Sequence, residues 1–259
     1  MEDITKKIED LKVSDSEKSS NEPSKNNIKE ENSKNISPIV VNQGILDKGK
    51  ILIIFSGSDL LWCKTKKFIE SDIKYDFLFQ KCKFIYYNKK FIKEFYTRIL
   101  KHPSCIPGFI SSMNINNCQA LIREMYKSCG IQKEEQIENL IYLGKKCHDM
   151  VNADTYNPDA TTEFKRNMGN IAYCINKHFN TKKKFYKILI LESDPGKMSD
   201  STKPNSIICP IFTEDYIIKK ENRKEVDLKG ENLIKYLENL LNNCTENINS
   251  YLAANKFEV

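Results

Sequence analysis

The sequence predicts an α/β fold, a doubly wound parallel sheet behind a polar N-terminal tail, and three observations carry that expectation. Ile51-Leu-Ile-Ile-Phe55 is a continuous apolar run, the pattern of a strand buried on both faces of a parallel sheet. Short runs of this kind then alternate with stretches whose apolar residues recur at helical spacing, which implies βαβ units. Residues 13–37 hold Ser, Asn, Lys and Glu with almost nothing to bury, so no core can offset the entropy of ordering them. Residues 1–44 are therefore expected to be a disordered tail, and residues 45–259 the folded domain.

Each later element has its own signal. Phe91, Ile92, Phe95, Tyr96, Ile99 and Leu100 repeat at helical spacing, and Pro103 ends that helix. Ile106–Ile110 is expected to be a second strand, followed by a helix with Ile115, Cys118, Leu121, Ile122 and Met125 on one face. Leu140–Leu143 is a short strand, and Phe164, Met168, Ile171, Ile175 and Phe179 suggest another helix. Tyr186–Leu191 and Ile207–Ile211 are the last strands, and Leu233, Ile234, Leu237, Leu240 and Leu241 mark a C-terminal helix. Ligands of such sheets bind at the carboxyl ends of the strands. Chemistry is thus expected just after Phe55, Ile110, Leu143 and Leu191.

Composition narrows the function classes. In 259 residues no run approaches the roughly 20 apolar residues of a membrane span, and residues 1–20 lack the apolar core of a signal peptide. The nine cysteines are scattered, with no C-x-x-C pair, and read as reduced core thiols of an intracellular protein, nuclear or cytoplasmic, with a mitochondrial location left open. The net charge is +6; residues 1–44 carry seven Lys against nine acids, so the folded part is the basic part. That excess permits nucleic-acid binding. Lysines mixed evenly with Asn fit solvated faces better. Gly196-Lys-Met-Ser199 lacks the upstream glycine of a phosphate-cradling loop and is read as a turn. His102, His148 and His178 have no ligand spacing and are read as surface or core histidines. Asn243-Cys-Thr245 fits a glycosylation acceptor, expected to stay unmodified.

At the strand ends stand Ser56-Gly-Ser-Asp-Leu-Leu-Trp62, Ser111-Ser-Met-Asn114 and Glu192-Ser-Asp-Pro-Gly-Lys197. Tyr87–Phe95, Tyr142-Leu-Gly-Lys-Lys-Cys147, Asn205–Pro210, Gly230–Glu238 and Ile248–Leu252 keep their order around them. This succession resembles the phosphatases of the haloacid dehalogenase (HAD) superfamily, in particular the FCP/SCP-type branch that acts on the RNA polymerase tail and its plant and protist relatives. The likeness spans about 210 residues and implies a Rossmann-like HAD domain.

The resemblance also implies roles. In that family the first of two aspartates attacks phosphorus, the second handles the leaving-group proton, and both help hold Mg²⁺ with a later Asp or Asn. Carried over position by position, the nucleophile site is Ser56, the acid/base site Ser58, and the metal pair Glu192 and Ser193. Ser111 stands at the hydroxyl that bonds the phosphoryl oxygens. Lys165 matches the charge-balancing lysine, with Lys182–Lys184 as alternatives. Three carboxylate or amide positions have become hydroxyls, and a neutral serine is a poor Mg²⁺ ligand and, without a base, a poor nucleophile. The implied protein is a phosphatase-like domain without cofactor that binds a protein partner, as the FCP-type domain of the mitochondrial presequence translocase looks like a peptide receptor. Two alternatives stay open. One is a Mg²⁺-dependent phosphatase whose site is rebuilt from Asp59, Glu192 and Asp194; the other is a basic RNA- or ribosome-associated domain.

The tail reading makes the first prediction. A chain lacking residues 1–44 is expected to keep the melting midpoint of the full chain, and limited proteolysis to leave a stable fragment starting near residue 45. Collapse of the truncated chain would contradict it.

Overall fold

The computed structural model describes residues 49–88, 90–151, 163–180, 187–209, 212–244 and 247–258, all within one compact unit, Ile39–Val259. The expected tail, the lysines 182–184, Tyr186, Pro210, Ile211 and Thr245 lie outside the described residues.

The central strand is β1, Ile51–Ser56, buried along its whole length. The antiparallel strands β2 (Trp62–Thr65), β3 (Phe77–Phe79) and β4 (Phe84–Asn88) follow, then a single α-turn α1 (Ile92–Glu94) running into a π-helix, Phe95–Leu100. Strand β5 (Cys105–Ile110), helix α2 (Ile115–Ser128) and strand β6 (Ile141–Leu143) come next. The hairpin β7 (His148–Val151) and β8 (Glu163–Arg166) precedes α3 (Met168–Phe179), β9 (Ile188–Glu192) and β10 (Ser206–Ile208). Helices α4 (Glu214–Ile218), α5 (Lys220–Asn243) and α6 (Ile248–Ala254) end the fold.

Five strands form one parallel sheet in the order β10-β9-β1-β5-β6. The chain leaves β1, builds outward through β5 and β6, then returns to the other side of β1 for β9 and β10. Both faces of the sheet are covered, because alternate residues of a strand point to opposite sides. Ile51, Ile53 and Phe55 share one apolar cluster with Leu121, Ile122 and Leu237, whereas Leu52 and Ile54 join Ile171 and Ile175 of α3 in another. Each such side chain, fully buried, contributes about 1.5–3 kcal/mol. Strands β2, β4 and β3 form a separate antiparallel sheet, and β7 pairs with β8. Among the described residues no helix is long and apolar enough to cross a membrane.

Helix α2 starts where Asn114 accepts a hydrogen bond from the Asn117 N–H at 2.8 Å, and it buries Cys118, Leu121, Ile122, Met125 and Tyr126. Ile115, expected on that face, is 49% exposed, one turn too early to reach the sheet. The Phe91–Leu100 stretch departs from an α-helix: the Lys101 N–H reaches the Tyr96 carbonyl five residues back at 3.1 Å, and the wider turn still buries Phe95, Tyr96, Ile99 and Leu100. Phe164 belongs to β8 instead of the expected helix, which begins only at Met168. Asn167 caps that helix through the Asn170 N–H at 3.0 Å.

Gly57, directly after β1, fixes how the chain leaves the sheet. A Cβ there would stand 1.8 Å from the ring of Trp62, so only glycine lets the indole lie flat against this turn. Gly57→Ala is expected to destabilise the domain by about 1–3 kcal/mol through overpacking, read by urea unfolding and by a shift in the emission of Trp62, the one tryptophan of the chain. Unchanged stability and emission would show that the indole has room to move.

Candidate functional site

The sheet register brings the expected strand ends together. Phe55 lies between Phe109 and Leu191, and Ser56 is level with Ile110. The segments after β1, β5 and β9 therefore meet where the chain reverses its direction of winding, and a cleft of about 620 Å³ opens there. Its polar lining includes Ser56, Ser58, Ser111, Ser112 and Lys165. An apolar wall of Trp62, Phe84, Tyr86, Phe109 and Met113 faces them. The Trp62 ring centroid is 6.0 Å from those of both Tyr86 and Phe109.

The turn after β1 is tight. Leu61 and Trp62 donate their N–H groups to the Gly57 carbonyl at 2.9 and 3.2 Å, and Asp59 donates to the Trp62 carbonyl at 2.8 Å. This folding places Asp59 at φ 60°, a left-handed conformation that Asp tolerates better than most residues. Ser58 is held by the neighbouring strand, since the Ser193 hydroxyl donates to its carbonyl at 3.0 Å. Ser111 donates its N–H to Leu143 at 2.9 Å, and its hydroxyl accepts the Met113 N–H at 3.3 Å at the entrance to α2.

The base of the cleft is a buried ion pair. Arg166 ends β8 and is 3% exposed; Glu192 ends β9 and is 0% exposed. The guanidinium donates to Glu192 Oε2 twice, from Nη2 at 2.7 Å and Nε at 3.1 Å, and Nη2 also reaches Ser56 Oγ at 3.4 Å. Its Nη1 meets Nε2 of His148, the residue directly opposite on β7. A guanidinium only donates, so in this contact Nε2 of His148 stands as the acceptor. The second carboxylate oxygen, Oε1, accepts the Ser193 N–H at 3.1 Å.

Cations stand higher in the cleft. Lys165 is half-buried on its wall, Lys197 pairs with Asp194 at 3.4 Å, and Lys64 sits 5.4 Å above the Phe84 ring. Burial raises the carboxyl of Asp59 above the ordinary carboxylate value, Lys197 and Lys64 draw it back, and Glu192 and Asp194 push it up again. Of the residues singled out in the sequence, Ser56, Ser58, Ser111 and Lys165 line the cleft, while Glu192 and Ser193 lie buried behind it. Arg166, His148 and Lys64 belong to the site although nothing in their spacing marked them, and Trp62 and Lys197, which end two of the strand-end motifs, belong to it without having been given a role there. His148 in particular braces the site's buried cation.

These donors do not fit the Mg²⁺ ion that the HAD resemblance implies. Mg²⁺ requires near-octahedral hard oxygen with anionic charge. The expected metal pair offers one carboxylate, Glu192, with Oε2 taken by Arg166 and Oε1 by the backbone. A positive charge 2.7 Å from Oε2 already neutralises it, and a divalent cation there would be repelled. Among the described residues Ser56 has no base beside it, since its hydroxyl is reached by Arg166 and the accepting nitrogen of His148 is turned to the same guanidinium. The arrangement can hydrogen-bond and hold charge; it has no activated nucleophile at this position. No family model matches the chain, and comparison with curated proteins found no match.

The ion pair supplies the third prediction. Glu192→Gln leaves a guanidinium buried without its counter-charge, an expected loss of about 3–5 kcal/mol. Replacing both members, Arg166→Met with Glu192→Met, is expected to cost far less than the sum of the single changes. Additive losses in urea unfolding would show that the two charges do not depend on each other.

Proposed function

We propose that the chain is a catalytically inert, FCP/SCP-type HAD domain, a Rossmann-like doubly wound sheet whose former phosphatase cleft serves as a protein-binding site. The observation that carries this reading is the pairing of Arg166 with Glu192 beneath three serines. The carboxylate at the expected metal position is engaged by the protein itself, and the expected nucleophile and acid/base positions hold the hydroxyls of Ser56 and Ser58. Support for the fold assignment comes from the strand order and from the convergence of the Ser56, Ser111 and Glu192 segments at one cleft. Support for a binding role comes from the cleft's volume and its mixed apolar and cationic lining, which suit a peptide side chain or two.

The reading of a shifted metal site is weakened by the partners of its proposed ligands. Asp194 accepts the Gly196 N–H at 2.9 Å and pairs with Lys197, and Asp59 is half-buried between two lysines.

The purified chain is expected to leave p-nitrophenyl phosphate and a phosphopeptide unhydrolysed, with or without Mg²⁺. Phosphoryl transfer depends almost wholly on positioned charge. Loss of a nucleophile from residues acting as a unit costs on the order of a million-fold in the subtilisin reference case. Mg²⁺ is also expected to leave the melting midpoint unchanged, because a ligand that does not bind the native state cannot stabilise it. Mg²⁺-dependent turnover abolished by Asp59→Asn would overturn the proposal, and RNA binding that falls steeply with salt would favour the basic-domain alternative.

A further inference from the structure

We infer that the cleft selects a peptide segment in which an Asp or Glu stands beside an aliphatic or aromatic residue. Its carboxylate lies between Lys64 and Lys197, and its apolar side chain lies on the wall of Trp62, Phe84 and Met113. The inference rests on the reading of the cleft as a protein-binding site and adds to it the chemistry of the partner.

Cations from three separate elements converge on one opening: Lys64 comes from β2, Lys165 from β8 and Lys197 from the turn after β9. Among the described residues only Asp194 forms an ion pair with one of them, 3.4 Å from Lys197. Lys64 and Lys197 also oppose each other. Desolvation by the cleft walls and then the Lys197 ammonium lower Lys64 below the ordinary lysine value, while Asp59 draws it back. An anion placed between the two ammonium groups relieves that repulsion. The apolar wall lies within reach of the same charge, since Nζ of Lys64 is 5.4 Å from the centre of the Phe84 ring. Met113 carries this wall to the entrance of α2, its sulfur 4.0 Å from that of Cys82. Nε1 of Trp62 is buried and, among the described residues, has no hydrogen-bond partner. That edge of the indole lies against Gly57, which lines the cleft beside it. A buried N–H without an acceptor is costly, and the carbonyl of a peptide backbone is the kind of acceptor that would complete it.

The same layout disfavours a free phosphate. A compact dianion gains most where fixed donors and net positive charge meet, and at the base of the cleft Glu192 already neutralises the guanidinium that could supply both. The lysines act as point charges along the walls. They suit a single carboxylate whose neighbouring side chain buries apolar area against Phe84 and Met113.

The test uses the full chain. Short random peptides without tryptophan, displayed on phage, are selected on the immobilised protein, and the enriched sequences are synthesised. They are expected to pair Asp or Glu with Leu, Ile, Met or Phe. Binding is expected to shift the emission of Trp62, the one tryptophan of the chain, and to slow iodoacetamide labelling of the half-buried Cys82 in the same cleft. Replacing the peptide's carboxylate by its amide is expected to weaken binding about threefold to fivefold, the range of a solvent-exposed ion pair. Lys64→Gln together with Lys197→Gln is expected to erase that difference while keeping the melting midpoint. Inorganic phosphate at the peptide's own concentration is expected to leave the peptide bound. Enriched peptides that reach the cleft but are basic or uncharged, or that bind the double variant equally well, would overturn this inference and leave the protein-binding reading standing. Absence of any enriched sequence, or enriched peptides that leave Trp62 and Cys82 unaffected, would remove that reading and the inference with it. Displacement by phosphate would show a simple anion site in place of a peptide site.

Discussion

Strand β1 is buried on both faces and bonded on both edges, and the rest of the molecule follows from that constraint. A run such as Ile51–Phe55 has no polar side to show to water, so both faces of the sheet must be covered and the parallel neighbours must be reached by crossovers. The crossovers run outward on one side through β5 and β6 and on the other through β9 and β10. At the carboxyl end of β1 they diverge, and the cleft opens there with the β7–β8 hairpin supplying its base. The cleft is the geometric remainder of that divergence, and the residue that ends β1, Ser56, stands at its base.

A buried cation and anion at this point carry a heavy desolvation cost, which close geometry and further hydrogen bonds must offset. Arg166 receives two bonds' worth of partnership from Glu192 and further contacts from His148 and Ser56, while Glu192 engages its other oxygen with the Ser193 N–H. The network is closed without any added ion. Serine at Ser56, Ser58 and Ser193 is consistent with this balance, because each additional carboxylate would need a further positive charge. The hydroxyls at these positions and the arginine are thus parts of one electrostatic arrangement.

The strands were legible where the chain is apolar without interruption: Ile51–Phe55, Ile106–Ile110 and Ile188–Leu191 of the run expected from Tyr186 all lie in the parallel sheet. The antiparallel sheet was not, since Trp62-Cys-Lys-Thr65 alternates too briefly to register and Phe77–Phe79 is three residues long. Phe164 fitted a helical spacing with Met168 but belongs to a strand, because pairing with β7 outweighs periodicity over so short a stretch. That difference matters for the site. On a strand, neighbours face opposite ways, so although both border the cleft, Lys165 is half-exposed on its wall while Arg166 is buried at its base. Sequence spacing drew attention to the half-buried lysine, whereas the fully buried arginine holds the carboxylate. His148 was invisible as a site residue because its contact with Arg166 spans an intervening segment of unconstrained spacing.

Charge is layered in the cleft, and the layering bears on what such a cleft can recognise. At the base Arg166 and Glu192 cancel, so a ligand reaching that depth meets donors and hydroxyls with little net field. Nearer the opening, Lys64, Lys165 and Lys197 outnumber Asp194, and beside them stands the apolar wall of Trp62, Phe84 and Tyr86. A compact anion would be drawn to the lysines and leave the apolar wall wet. A chain segment presenting an apolar side chain beside an acidic group would satisfy both at once, burying apolar area while its charge stays near partly solvated lysines, where pairing carries a small desolvation cost. Under the proposed reading, the neutralised base therefore shifts recognition away from the point where phosphate chemistry would be centred and toward the walls, where a peptide has more to offer than a free anion.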